Sequence, residues 1–163
     1  MEKAELGGSG IIIRRARTED VEPIVRLWRE MWKFHEPLDP RFEISPAADL
    51  VMEKWIEESL QSPRSVLFVA EETPGTLEGY CHAMILENPP VVPWLQYGYV
   101  SEVAVHRRRR GVGTRLLEAA HAWFREHRLP YAEVSVSVKN AVARSFWRKR
   151  GYSEFLERLR LEL

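Results

Sequence analysis

The sequence has a single cysteine, Cys81, among 163 residues, so no disulfide forms within the chain and no second thiol stands at metal-ligand spacing. It has no net charge either, since 24 Lys and Arg offset 24 Asp and Glu. That balance excludes a global field that would hold the chain on nucleic acid or an anionic membrane. No apolar run approaches the roughly 18 residues that span a bilayer, and no basic leader with an apolar core opens the chain. Internal repeats are missing too. These absences lead us to expect a soluble, cytoplasmic protein with no metal, no nucleic-acid partner and no membrane partner, and Cys81 packed rather than reactive. A chain of this length forms one domain with a sizeable core. We place that domain at residues 11–163, behind a flexible tail over 1–10 that contains "LGGSG".

Hydrophobic periodicity supplies the elements. "IIIRRA" (11–16) reads as a strand, and Thr18 or Asp20 is placed to cap a helix with Val21, Ile24, Val25, Trp28, Met31, Trp32 and His35 on one face. Ser45 and Pro46 open a second helix to about residue 60. "SVLFVAEE" and "GYCHAMIL" form a hairpin pattern, a proline-rich loop follows, and "YVSEVAVH" is a further strand. A helix over about 112–127 presents Val112, Leu116, Ala120, Trp123 and Phe124. "YAEVSVSV" (131–138) alternates with period two, Asn140 caps a helix ended by Gly151, and "LERLRLEL" (156–163) alternates again as a closing strand. The order β, α, α, β, β, β, α, β, α, β implies an α/β (α+β) domain, a mixed and mostly antiparallel sheet flanked by helices.

The turn between "YVSEVAVH" and the third helix carries the chemistry. Arg107 to Arg110 run into Gly111, Val112, Gly113 and Thr114, which places unpaired backbone N–H groups at the positive end of a helix beside cationic side chains. Such a turn suits a pyrophosphate. A Walker loop is excluded because no Gly-Lys-Ser/Thr follows, and a dinucleotide fingerprint because Leu116 stands where a third glycine belongs. A solvated basic face and a nucleic-acid arm are the competing readings. The second fails because four arginines in a neutral domain make only a patch.

Arg108-x-x-Gly111-x-Gly113 is similar to the R/Q-x-x-G-x-G/A signature of the GNAT superfamily of N-acetyltransferases. The chain also resembles that family in "IIIRRARTEDVEPIVRLW", in "YVSEVAV" before the signature, and in "NAVARSFWRKRGY", over roughly residues 11–163. The resemblance implies a sheet splayed in the middle to hold acetyl-CoA as acetyl donor, and acetyl transfer to a primary amine of a small molecule or peptide by direct attack in a ternary complex. It assigns the cofactor to main-chain groups of Val103, Ala104 and Val105, to Arg108, Arg109, Arg110, Gly111, Val112, Gly113 and Thr114, and to Asn140 and Trp147. An alkyl amine is mostly protonated at neutral pH, so a base is needed. Glu102 is the leading candidate, on the face opposite Val103 and Val105 by alternation; Glu133, Ser135 and His106 are weaker ones.

Trp147 departs from the family, which has a tyrosine there that protonates the leaving thiolate; an indole N–H is not a usable acid. Tyr152, Tyr97 or water are the substitutes. The departure also keeps open the alternative of a CoA-binding regulatory or protein-interaction module without turnover. The loops "FHEPLDPRF" and "PWLQYG" are expected to line the acceptor pocket, with Glu36, Asp39 and Glu87 attracting a cation. "LERLRLEL" also offers a strand that would pair across a two-fold in a homodimer.

Overall fold

The computed structural model of the protein describes residues 10–108 and 110–163. The expected flexible tail, Gly10 apart, and Arg109 lie outside the described residues. Five strands, β1 (Ile12–Arg15), β2 (Ser65–Thr73), β3 (Thr76–Glu87), β4 (Gln96–Val105) and β5 (Ala132–Val134), form one sheet in that order. The first three pairings are antiparallel, and β4 with β5 is parallel. The connections explain the change: β2 and β3 meet through a tight turn, whereas β4 and β5 are joined by helix α3 (Val112–Glu126), the crossover that a parallel pair needs.

Helices α1 (Val21–His35) and α2 (Ala48–Gln61) cover one face. Their apolar stripes meet Leu67, Val69, Tyr80 and Ala104. On the other face α3 and α4 (Ala141–Lys149) pack Leu116, Ala120, Phe124 and Trp147 against Cys81, Ala83, Ile85 and Val100. Cys81 is fully buried and burial pushes its thiol pKa up, which keeps it protonated and inert.

Asp20 does not cap α1 with its side chain. It is buried instead, takes two hydrogen bonds from the Arg14 guanidinium at 2.7 and 2.9 Å and one from the Arg17 N–H at 2.7 Å, and so ties β1 to the turn before α1. Arg14 also grips Glu71 of β2. Gly79 of β3 is dictated by space, because a Cβ there would stand 2.7 Å from the Ala104 carbonyl oxygen. Backbone inside a sheet cannot step aside. Gly79→Ala is therefore expected to cost roughly 1–3 kcal/mol, seen as a lower urea midpoint.

Two expected strands are corrected. The strand expected over 131–138 pairs only through Ala132–Val134, because β4 diverges beyond its last rung with β5, Val100 against Val134. The closing strand expected at 156–163 has no partner and is not formed among the described residues; Phe155, Leu156, Leu159, Leu161 and Leu163 are exposed. Alternation states a strand's two faces but not what it pairs with.

Candidate active site

Strand β4 carries one extra residue. Ala83 pairs with Val100 and His82 with Glu102, so Ser101 has no partner on β3. A bulge reverses the alternation of side chains beyond it. Before it, Gly98 faces Phe124 and Val100 joins the α3-side core; after it, Val103 and Val105 pack on that side and Ala104 on the α1 side. Glu102 therefore shares a face with Tyr97 and Tyr99, which a regular strand would place opposite it.

The bulge begins where β4 leaves β5, so a gap opens between them. The His106 N–H donates to the Glu78 carbonyl at 2.8 Å and Val105 stands opposite Gly79. The two-residue rhythm of an antiparallel ladder then directs the main-chain groups of Ala104 toward Tyr80 of β3, and those of Val103 and Val105 away from β3 into the gap.

Glu102 is partly buried at the mouth of that gap. The hydroxyl of Tyr80, itself 0% exposed, donates to its Oε2 at 2.6 Å, and the Trp28 side chain adds a second hydrogen bond. Desolvation pushes the Glu102 carboxyl up to about 7, and the two donors oppose that rise without cancelling it. His82, opposite Glu102 in register, is fully buried; its Nε2 meets the Ser65 hydroxyl at 2.8 Å, and burial lowers its pKa to about 4, so it stays neutral. His106 follows the last residue of β4 and is paired with Glu30 of α1 at 2.9 Å.

The glycine turn follows. Gly111 has φ +73°, a left-handed conformation that a side chain resists, and it precedes the first turn of α3. No side chain caps that helix end, and the N–H groups of Val112, Gly113 and Thr114 have no intrahelical acceptor. Gly113 is different. Its φ is not positive and a Cβ would find only ordinary contacts at 3.7 Å with Phe146 and Val105. Nothing within the protein demands a glycine there, whereas an anion lying against the helix end would.

The arginines divide. Arg107 binds Glu78 at 2.6 Å and Glu72 at 3.0 Å, and Arg110 stands 3.5 Å from Glu72 and 3.6 Å from Glu78. Glu78 is 2% exposed and held ionised by Arg107. Much of the basic run is thus neutralised from β2 and β3. Arg108 lies over the Phe34 ring, 4.1 Å from its centroid. Arg150 bonds the Thr114 hydroxyl.

Asn140 caps α4 as the sequence suggests, its Oδ1 accepting from the Ala143 N–H at 3.0 Å. Its Nδ2 is 3.1 Å from His35 Nε2, and His35 Nδ1 is 2.9 Å from the Met31 carbonyl. A carbonyl only accepts, so Nδ1 carries the proton and Nε2 receives the Asn140 amide. This contact joins α1 to α4 and had no signal in the sequence. Trp147 is buried, edge-on to Phe146 and Tyr152. The Tyr152 hydroxyl is 2.8 Å from His121 Nε2, and burial pushes its phenol up to about 12. On the acceptor side, Asp39 is bound by Arg41 and Lys139 and Glu87 by Arg64, so neither is free for a cation. Among the described residues no cluster of His, Cys, Asp and Glu is arranged to hold a metal, and no helix is long and apolar enough to cross a membrane.

The profile of the acetyltransferase (GNAT) family matches residues 23–152. No curated protein matches the sequence. Among solved structures, a mutant form of a protein from Bacillus halodurans is 22% identical with a TM-score of 0.84, covering 93% of this chain and 99% of its own. A putative acetyl transferase from Pyrococcus furiosus is 24% identical with a TM-score of 0.75, covering 94% and 99%. The aminoglycoside N-acetyltransferase AAC(6')-Iy, solved in complex with CoA, is 20% identical with a TM-score of 0.73, covering 97% of each chain. These likenesses show a shared fold.

Proposed function

Because the chain belongs to the acetyltransferase (GNAT) family, we propose that it transfers an acetyl group from acetyl-CoA to a primary amine of a small molecule or peptide, by direct attack in a ternary complex. Acetyl-CoA supplies an activated acetyl group as a thioester. The observation that carries the proposal is Glu102: a carboxylate raised to about 7 and fixed by Tyr80 beside a gap in the sheet. A base poised near neutral pH takes a proton from an ammonium most effectively.

The residues fit the donor. The free N–H groups of Val112, Gly113 and Thr114 at the head of α3 would receive an anion with the helix dipole behind them, beside Arg108 and Arg110, with Arg109 between these two in the sequence. The bare Cα of Gly113 leaves room for close approach. Main-chain groups of Val103 and Val105 line the gap for an extended amide-bearing arm, with Ala104 holding the strand to β3. An N–H there also stabilises the oxyanion as charge develops. Asn140, the cap of α4, and Trp147, packed in the α3-side core, would bound the same donor site from α4.

Protonation of the thiolate falls to water. Trp147 has no usable acid, Tyr152 is held by His121, and Tyr97 lies at the far end of β4.

The test is direct. Acetyl-CoA at saturating concentration is expected to raise the melting temperature by several degrees, and incubation with a panel of primary amines is expected to release free thiol in step with amine consumption. Stabilisation without thiol release across the panel would instead favour a CoA-binding module without turnover.

A further inference from the structure

Four side chains on the sheet face shared with Glu102 have no part in the transfer just described. Gly98 and Val100 point to α3, so Tyr97 and Tyr99 point the other way; Ala132 and Val134 also pack on the α3 side, so Tyr131 and Glu133 join the tyrosines. Tyr97 stacks on Tyr131 with ring centroids 5.5 Å apart and planes 20° from parallel. Tyr99 stands opposite Glu133 in register and donates to the Ser135 hydroxyl at 3.0 Å. Asn88 donates to the Tyr131 hydroxyl at 2.6 Å and to the Trp94 carbonyl at 2.8 Å, which fixes the adjoining loop over 88–95.

Glu133 differs from Asp39 and Glu87 and, like Glu36, has no cationic partner among the described residues. Asp39 and Glu87 are neutralised by arginine and lysine, whereas among the described residues Glu133 takes part in no ion pair. Its charge reaches Tyr97, whose phenol pKa is raised by burial first and by Glu133, Tyr131 and Tyr99 after it. The result is a partly open aromatic shelf with one uncompensated negative charge, continuous along β4 with the base. Aromatic faces and a carboxylate share one preferred guest, a cation with apolar flanks.

We propose that Tyr97, Tyr99, Tyr131 and Glu133 form a second cation subsite, so that the acceptor is an amine with a further ammonium group roughly 7 Å from the nitrogen that is acetylated, the span on β3 between Met84 and His82, which Tyr99 and Glu102 stand against. The bulge at Ser101 makes this possible, because it alone puts Tyr99 and Glu102 on one face. The inference rests on Glu102 as the site of proton removal.

Pentylamine and 1,5-diaminopentane separate the possibilities, since they share a chain and differ in the second charge. With acetyl-CoA, kcat/KM for the diamine is expected to exceed that for pentylamine about tenfold, beyond the factor of two for its two ends, and Glu133→Gln is expected to bring the ratio close to two. Calorimetric titration of both amines gives the same comparison without turnover. Equal treatment of the amines by the wild type, or a preference that Glu133→Gln leaves intact, overturns the subsite while acetyl transfer stands. If neither amine is acetylated but the diamine binds more tightly in a Glu133-dependent way, the subsite stands and the transfer proposal falls. No binding difference and no turnover overturns both.

Discussion

Glu102→Gln is expected to lower kcat by about 100- to 1,000-fold, the usual weight of a positioned general base, while leaving acetyl-CoA affinity within about twofold. Steady-state kinetics beside calorimetric titration of acetyl-CoA tests both halves. The wild-type pH profile follows from the same carboxyl. Below about pH 7 Glu102 is protonated and cannot accept a proton, so kcat/KM is expected to fall toward tenfold per pH unit on the acid side, a limb that the glutamine variant lacks. The stability consequence has the opposite sign. The carboxyl titrates near 4.5 when unfolded and about 7 when folded, so between these values the native state binds more protons and stability declines as pH rises. Above pH 7 the full penalty applies. Glutamine removes it, so Glu102→Gln is expected to be more stable than the wild type at pH 8, by up to about 3 kcal/mol. An inactive but stabilised variant separates a base from a structural carboxylate; loss of stability at pH 8 would refute the burial account.

Gly113→Ala is expected to weaken acetyl-CoA binding by about 30- to 100-fold without harming the fold. The added Cβ meets Phe146 and Val105 only at ordinary distance, and alanine in a helix is favoured over glycine by roughly 0.5–1 kcal/mol. Melting should therefore hold or rise slightly. Binding suffers because a methyl group at the second residue of α3 stands off the anion that the free N–H groups receive, and a hydrogen bond to a charged group is worth about 1.5–3 kcal/mol. Affinity and stability moving in opposite directions is the signature sought. Unchanged affinity by calorimetry would remove the pyrophosphate from this turn.

The two residues behind these expectations were visible in the sequence for different reasons. Gly113 sits in a motif whose meaning is local: a strand, a left-handed turn and a helix end are contiguous, so the chain alone builds the cradle. Asn140 is similar, since capping is a contact over three residues. Glu102 was visible as a carboxylate near the turn, but nothing in the chain announces Tyr80 and Trp28 as its partners, for they come from β3 and α1. The acidic partners of the arginine run were hidden for the same reason. Glu72 and Glu78, which neutralise Arg107 and Arg110, lie about thirty residues away and reach them only through the pairing of β3 with β4. Tyr97 and Glu133 entered the sequence reading separately, one in an acceptor loop and one as a weak base, with no sign that they share a face.

Local order decided one class of features. The turns, caps, helix stripes and strand alternation follow from side chains within a few positions of each other, and these settled the order of elements from β1 to α4, the family and the glycine turn. Tertiary structure decided whatever depends on register. The unpaired Ser101 flips one half of β4 against the other, comes where its pairing with β5 ends, and puts Glu102 on the α1 face, where Tyr80 holds it beside the gap. The alternating tail at 156–163 shows the converse, a strand pattern left unformed because a strand exists only with a neighbour to receive its hydrogen bonds.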